Sequence, residues 1–279
     1  MVAAVLPGMV TGHGRIERVL RVWVPVGFFL VLALFPFYWM AITSIKPNAE
    51  LYNTRLMPLL VRNPTLKHYV DLLTQTSFLV WTWNTMLVAV VSTAISLVFG
   101  TMLAYPLARM RFAGSGLIAM TVAAIYLVPQ PLLFLPPADV INRLQLGNTL
   151  ISVIRTYPML VPFCAWLLLG YFKTVPMELE EAARIDGASR LQTMRRIFLP
   201  LCIPGFISAG IFAFTLSQNE FLYALIFLTQ SSVRTVPVGV IAELIRGDVF
   251  YWGQLMAGAL LGSRPCENSA ILRPRLIPP

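Results

Sequence analysis

The residues whose types and spacing could carry chemistry lie mainly in one charged segment, residues 173–198. Three acidic residues, Glu178, Glu180 and Glu181, follow shortly after Pro176. Proline suits the first turn of a helix, and the positive end of the helix dipole stabilises carboxylates there. The pattern predicts a short surface helix. By itself it fits either a binding surface or an ordinary solvated loop.

A second short helix is predicted directly after the first. Glu180 and Arg184 have the i, i+4 spacing of a helical ion pair, and Gly187 is a natural helix end because it tolerates a left-handed conformation. Ser189 and Gln192 form a Ser-x-x-Gln capping box that starts the next helix. The apolar face of that helix is formed by Leu191, Met194, Ile197 and Phe198. We expect two short helices with a turn between them at a membrane surface.

The sequence contains no pattern that predicts catalysis. The GxxxxGK[ST] loop that binds nucleotide phosphates is absent. The two histidines, His13 and His68, lie in predicted tail and loop regions. The three cysteines, Cys164, Cys202 and Cys266, lack CxxC spacing and are interpreted as small apolar residues. We therefore expect no catalytic residue, no metal site and no cofactor held by this chain.

The elements that must position the charged segment are apolar helices. Hydrophobic residues make up 57% of the 279 residues and charged residues only 12%, which is too little charge for an ordinary soluble domain. Apolar runs exceed 20 residues and can cross a bilayer as helices. The net charge of +9 indicates membrane orientation rather than nucleic-acid binding, because the basic residues are scattered over short loops.

The apolar runs predict an all-α, polytopic transmembrane bundle with five full spans and an incomplete sixth. The predicted spans are residues 22–44, 84–108, 117–135, 149–172 and 205–228, with a partial span at 253–263. Lys and Arg are denser in residues 1–21, 109–115 and 173–198 than in the predicted outer segments 46–83, 136–148 and 230–252. This bias places the N-terminus and the charged segment in the cytoplasm.

The charged segment resembles the EAA motif of ATP-binding cassette (ABC) importer permeases. The resemblance is carried by Glu181-Ala182-Ala183, Gly187, Ile197 and Leu199-Pro200. The run Gly100-x-x-x-Ala104-Tyr105-x-x-Ala108-Arg109-x-x-Phe112-x-Gly114 is similar to the family's second-span exit. Ser44-x-Lys46-Pro47 and Asn63-Pro64-Thr65 resemble the carbohydrate-uptake branch, the maltose-permease-like proteins.

The resemblance implies a type I ABC importer permease in a bacterial inner membrane. Its implied partners are ABC ATPase subunits, a second permease, an extracytoplasmic solute-binding protein and membrane lipid, with ATP and Mg bound by the ATPase. The implied solute is a sugar or related polyol. In residues 176–198, Glu181 and Asp186 would meet polar groups of the ATPase, Ala182 and Ala183 would permit close packing, and Gly187 would form the turn. Ile197, Leu199 and Pro200 complete the motif.

Polar residues within the fifth span are candidates for the solute path. They are Gln218, Asn219, Glu220 and Tyr223. The alternative is that they make structural contacts between helices, and the residues themselves do not decide between the two. The family often has Trp where this sequence has Gln218, so the nature of a sugar contact there stays open.

The sequence after Ser263 departs from the family. Residues 264–279 contain four prolines and three arginines, and we expect a polar tail there rather than a continued span. A truncation or changed reading frame is one explanation. It leaves open a non-transporting paralogue or membrane scaffold as an alternative function, and an ion-coupled secondary carrier is a further alternative.

Overall fold

The computed structural model describes residues 19–53, 57–110, 112–133, 135–157 and 160–271. Almost all regular structure in this part of the chain is helical, as the sequence predicts. Two π-helical turns lie at Val19–Trp23 and Met194–Phe198, and two 3-10 turns at Gln130–Leu133 and Ser231–Val233. The α-helices are α1 (Val24–Ile45), α2 (Asn48–Leu51), α3 (Lys67–Gln75), α4 (Phe78–Arg109), α5 (Ser115–Leu127), α6 (Leu135–Arg143), α7 (Leu150–Thr156), α8 (Leu160–Phe172), α9 (Glu178–Ile185), α10 (Arg190–Thr193), α11 (Leu199–Leu201), α12 (Ile203–Gln218), α13 (Leu222–Phe227), α14 (Val236–Leu244) and α15 (Trp252–Ile271).

A short β-hairpin separates α14 from α15. Its strands are β1 (Ile245–Arg246) and β2 (Val249–Phe250), paired antiparallel with Ile245 opposite Phe250 and Arg246 opposite Val249. Gly247 in the turn has a φ of 58°, which glycine adopts without the steric cost that a Cβ brings.

The chain divides into two compact units. Residues 19–69 with 252–260 belong to the first, and residues 70–251 with 261–271 to the second. In the first unit α1 exposes most of its apolar side chains, as a lipid-facing span does. The loop after α1 is tied down by polar contacts: Lys46 Nζ donates to Pro58 O at 2.5 Å, and His68 Nε2 to Lys46 O at 2.8 Å. Gly253 packs against the ring of His68, so closely that a Cβ would lie 2.3 Å from Nε2.

The second unit is built around α4, which packs on α8 and α12. One end of this packing has a core formed by Ala104, Leu168, Phe172, Phe198, Cys202 and Ala209. At the opposite end, Asn84 Nδ2 donates to the carbonyls of Ser232 and Arg234 at 3.0 Å each. Trp81 Nε1 donates to Ser231 O at 3.0 Å, so the segment before α14 is held against α4.

Two helices of the described chain are long and apolar enough to cross a membrane alone, Arg21–Ile45 and Phe78–Arg109. They correspond to the first two predicted spans. Two bent pairs pass the same test together: Leu150–Thr156 with Leu160–Phe172, bent by 44°, and Arg190–Leu201 with Ile203–Gln218, bent by 70°. The third predicted span is represented by α5 alone. This helix ends at Leu127 because Pro129 and Pro131 cannot donate the backbone hydrogen bonds that would continue it.

Two predicted boundaries differ from the structure. The segment 205–228 is not one helix, since α12 ends at Gln218 and α13 begins at Leu222. The last helix does not end at Ser263 but continues to Ile271. Pro265 removes one backbone donor, and a proline can kink a helix without ending it. The remainder of the predicted polar tail, residues 272–279, and the predicted cytoplasmic segment 1–18 lie outside the described residues.

Candidate functional site

The predicted helix pair is present between α8 and α12. Gly187 separates α9 from α10 with a φ of 86°, and the Ala188 N–H donates to Ala183 O at 3.0 Å. The capping box is confirmed: Gln192 N donates to Ser189 Oγ at 3.3 Å, and Ser189 N donates to Gln192 Oε1 at 2.8 Å. Local sequence signals therefore determine both the turn and the start of the second helix.

The motif residues on α9 divide between two faces. Glu181, Ala182 and Asp186 are exposed, whereas Ala183 is buried against the protein. Only Ala182 of the two alanines is therefore available for close approach of a partner. Ile185, which the sequence prediction did not include, is 86% exposed. The sequence signal that could have identified Ile185 is its position as an apolar residue between the charged Arg184 and Asp186.

The end of the motif turns the chain toward α12. Phe198 is fully buried, with its ring centroid 4.9 Å from that of Phe172 and 5.2 Å from that of Tyr105. Ile197 and Leu199 are partly buried, and Pro200 is exposed in the first turn of α11. These positions directly precede the 70° bend into α12.

Glu180 pairs with Arg109 and not with Arg184, which corrects the sequence prediction. Arg109 Nε lies 2.7 Å from Glu180 Oε1, and the two side chains are only 7% and 11% exposed. The atoms lack the alignment of a hydrogen bond, so the contact is an ion pair. A buried guanidinium needs a counter-charge much more than an exposed one does, which explains why the exposed Arg184 has no ion-pair partner among the described residues.

Three further contacts hold the Arg109–Glu180 pair. Arg109 Nη2 donates to Val175 O at 2.8 Å, and Tyr105 donates from its hydroxyl to Glu180 Oε2 at 3.2 Å. The guanidinium carbon of Arg109 lies 4.7 Å from the centre of the Phe198 ring, a cation–π contact. The sequence signal for this site is the Tyr105-x-x-Ala108-Arg109 run, which by itself indicates only a family resemblance and no ion pair.

An open cavity of about 270 Å³ lies beside this pair. Glu181, Arg184, Arg190 and Thr193 contribute to its wall together with the Arg109–Glu180 pair. Residues of both α9 and α10 line the cavity, and they present charges of both signs. The arrangement is a polar, indented surface beside the helix pair.

The four predicted solute-path residues lie at the break between α12 and α13. Glu220 Oε1 accepts a hydrogen bond from Tyr223 N at 2.7 Å, and its Oε2 accepts one from Ala224 N at 3.2 Å, so this carboxylate caps α13. Gln218 Nε2 donates to Gly262 O at 2.8 Å. Tyr223 is buried, while Asn219 is exposed and donates to Thr215 O at 2.8 Å.

The loop after α1 contains a second charged arrangement, centred on Glu50. Its carboxylate accepts hydrogen bonds from Arg62 N at 3.2 Å, from Asn63 N at 2.9 Å and from Asn63 Nδ2 at 3.1 Å. Burial acts to raise the pKa of Glu50, but these hydrogen bonds and the nearby Lys46 charge outweigh it and hold the pKa below its ordinary value. The ionised carboxylate therefore organises this loop.

The apolar helices and the helix pair that interrupts them define a class of protein, the permease subunits of ABC importers. Residues 96–261 match the family described as binding-protein-dependent transport system inner membrane component, and the chain belongs to this family. The predicted family and the all-helical permease fold are confirmed, whereas the predicted number of spans stays a prediction. The chain is thus a multi-pass inner-membrane subunit, and ATP hydrolysis in such importers belongs to a separate subunit.

Relatives align over nearly the whole chain. The inner membrane ABC transporter permease protein YcjP of Escherichia coli K12 is 36% identical over 256 residues, covering 90% of each protein. The sulfoquinovosyl glycerol permease SmoH of Agrobacterium fabrum is 33% identical, covering 87% of this chain and 85% of its own length. The trehalose/maltose permease MalG of Thermococcus litoralis is 32% identical, covering 92% of this chain and 94% of its own length.

A solved structure shares the fold. It is a bacterial ABC transporter involved in the import of the acidic polysaccharide alginate. The matched chain superposes with a TM-score of 0.79 at 20% identity and covers 96% of this chain and 99% of its own length. The similarity supports the helical permease architecture.

Proposed function

We propose that this chain forms part of the translocation path for a sugar or related polyol and is driven by an ATPase bound at α9 and α10. The observation that carries the docking part of the proposal is the exposed face of α9. Glu181, Ala182, Ile185 and Asp186 face outward together, next to a turn that requires Gly187. Ile185 and Ala182 supply apolar contact area on this face, and the acidic residues beside them supply charge, a mixture that a protein interface can use.

The proposed solute class rests on the relatives. The named solutes of three of them are trehalose/maltose, sulfoquinovosyl glycerol and diacetylchitobiose, and all contain sugar units. We infer a carbohydrate-type solute for this chain, delivered by an extracytoplasmic binding protein. A second permease subunit would complete the path. ATP and Mg would be held by the ATPase, with no cofactor in this chain.

The proposed path includes the break between α12 and α13. Transporters commonly build solute sites where a spanning helix is interrupted, because unwound backbone groups there face a cavity rather than lipid. Asn219 is the exposed polar side chain at this break, so it is proposed to meet the solute. Gln218 and Glu220, which hold the break in shape, are proposed to act as supports of the path. The N-terminus is proposed to be cytoplasmic, on the side of the helix pair.

Reconstitution tests this proposal. The chain is co-expressed with its ATPase and second permease, purified, and placed in proteoliposomes with the binding protein. We expect the ATPase to co-purify stoichiometrically and a labelled oligosaccharide or polyol to enter only with ATP. ATP-independent uptake driven by an ion gradient would favour a secondary carrier. ATPase binding without uptake of any sugar or polyol would favour a non-transporting scaffold.

Matched glycine variants test the docking surface. Gly187→Ala places a Cβ at a φ of 86°, and a left-handed conformation costs a non-glycine residue about 1–2 kcal/mol. We expect weaker ATPase association. Gly116→Ala is the control, because Gly116 has open space around its Cβ position and an ordinary φ. Equal ATPase association in the two variants would contradict docking at this turn.

A further inference from the structure

We propose that the Arg109–Glu180 pair is the link through which movement of the docking helix α9 reaches the membrane-crossing helix α4. Arg109 is a positioning residue in this proposal, acting on Glu180 and not on the solute. The inference rests on the proposed function, since it assigns a role to contacts behind the ATPase-facing surface.

The placement of the two residues carries the argument. Arg109 is the last residue of α4, which extends for 32 residues from Phe78. Glu180 lies in the first turn of α9, only one residue before the exposed Glu181. The two partners are 71 positions apart in sequence, and their contact joins the end of a span directly to the proposed docking surface.

The physics of a buried ion pair makes this contact resist separation. Both side chains are about nine-tenths buried. Pulling the charges apart in that environment would leave each one poorly solvated, so the pair is expected to move as a unit. Val175 O holds Arg109 Nη2 and the Tyr105 hydroxyl holds Glu180 Oε2, which restricts sliding between the partners as well.

Phe198 extends the connection to the following span. Its ring contacts the Arg109 guanidinium on one side and packs edge-to-face with Phe172 at the end of α8. Phe198 also precedes the 70° bend into α12. A displacement of α9 is therefore transmitted to the cytoplasmic ends of three helices, with the Arg109–Glu180 pair at the centre.

The two neighbouring acids consequently have different roles. Glu180 points inward and is neutralised by Arg109, whereas Glu181 is exposed and makes no ion pair in the described part of the chain. Glu181 is available to the ATPase and Glu180 is not. Loss of Glu181 charge should weaken docking, and loss of Glu180 charge should weaken the transfer of movement after docking.

The test compares docking and transport in the reconstituted importer. Glu180→Gln and Tyr105→Phe are expected to retain the ATPase at the parental stoichiometry while lowering solute uptake per ATP hydrolysed. The expected loss is roughly tenfold for Glu180→Gln, within the usual range of coupling between sites. Tyr105→Phe keeps the ring on Phe198 and removes only the hydroxyl, so it remains informative if the Glu180 variant folds poorly.

Rescue and a matched control complete the design. The single variants Arg109→Glu and Glu180→Arg each place two like charges together and are expected to lower uptake. The double variant Arg109→Glu/Glu180→Arg restores opposite charges and is expected to recover part of the uptake lost in these two single variants. The control is Arg143→Gln, which breaks the exposed Arg143–Asp139 pair on α6, whose side chains are 78% and 61% exposed.

The outcomes separate this inference from the proposed function. Parental uptake per ATP in both Glu180→Gln and Tyr105→Phe, with the ATPase bound, would overturn the link while leaving ATPase docking intact. Failure of the parent chain itself to bind an ATPase would instead remove the proposed function. A loss in the Arg143 control as large as that in Glu180→Gln would also overturn the link.

Discussion

Gly100 of α4 lies directly against Cys164 of α8. A Cβ on Gly100 would be 2.8 Å from Cys164 Cβ and 3.1 Å from Ala165 N. Cys164 is itself fully buried. Glycine at this position allows the two helix backbones to approach closely, as small residues do in membrane helix packing.

The first prediction concerns this contact. Gly100→Val should destabilise the protein by about 1–3 kcal/mol, because the nearest atoms include backbone that cannot rotate away. The unfolding temperature in detergent measures the effect, with a thiol dye reporting when the buried cysteines Cys164 and Cys202 become exposed. Gly170→Ala is the control, since its Cβ position has nothing within 4 Å. An unchanged unfolding temperature for Gly100→Val would contradict the close approach.

The second prediction concerns Ile185. Its side chain is 86% exposed in the isolated chain, and burying it against the ATPase should contribute about 1.5–3 kcal/mol. Ile185→Ser should therefore lower ATPase affinity by roughly ten- to 100-fold, measured by titration with labelled ATPase. Leu144→Ser, an exposed apolar position after α6, should leave the affinity unchanged. Equal affinities for the two variants would place the docking surface elsewhere.

The third prediction separates structure from transport at the α12–α13 break. Glu220→Ala should remove the cap of α13 and lower stability by about 1–2 kcal/mol, because two backbone N–H groups lose their acceptor. Asn219→Ala should have the same unfolding temperature as the parental protein but a lower rate of solute uptake. Unfolding curves and uptake assays on the same preparations measure both effects. Parental uptake in Asn219→Ala would remove this residue from the path.

The fourth prediction is a pH dependence in the loop after α1. The folded pKa of Glu50 is below its ordinary value of 4.5, so the ionised form is favoured by folding. The stabilisation is fully present above the ordinary pKa and is lost as pH falls through the lowered one. Limited proteolysis of this loop between pH 7 and roughly 3 should show accelerating cleavage in the acid range.

The control for the pH dependence is Glu50→Gln. Glutamine cannot ionise, so this variant should lose the part of the acid-range change that depends on residue 50. The Glu50→Gln loop should also be cleaved faster than the parental loop at neutral pH, because the carboxylate that accepts three hydrogen bonds has been replaced. Identical pH profiles for the two proteins would contradict the role of Glu50.

Several structural elements were predictable from residues that are close in sequence. The capping box at Ser189 and the positive φ at Gly187 depend on contacts within a few positions, and both were predicted. The first two spans were predicted because long apolar runs need only length and composition. The partner of Glu180 was predicted incorrectly, because local spacing offered Arg184 while packing brought in Arg109.

The sequence by itself determined that this protein is a helical membrane permease with a motif loop, since apolar runs, caps and motif spacing are local properties. Tertiary structure alone decided which charges meet. Packing brings Arg109 to Glu180, 71 positions away in sequence. It also places the Glu220 carboxylate at the start of α13, where it caps the helix. The physical reason is desolvation: a buried charge must find a partner wherever packing leaves it, and sequence spacing does not reveal which side chains packing will bury.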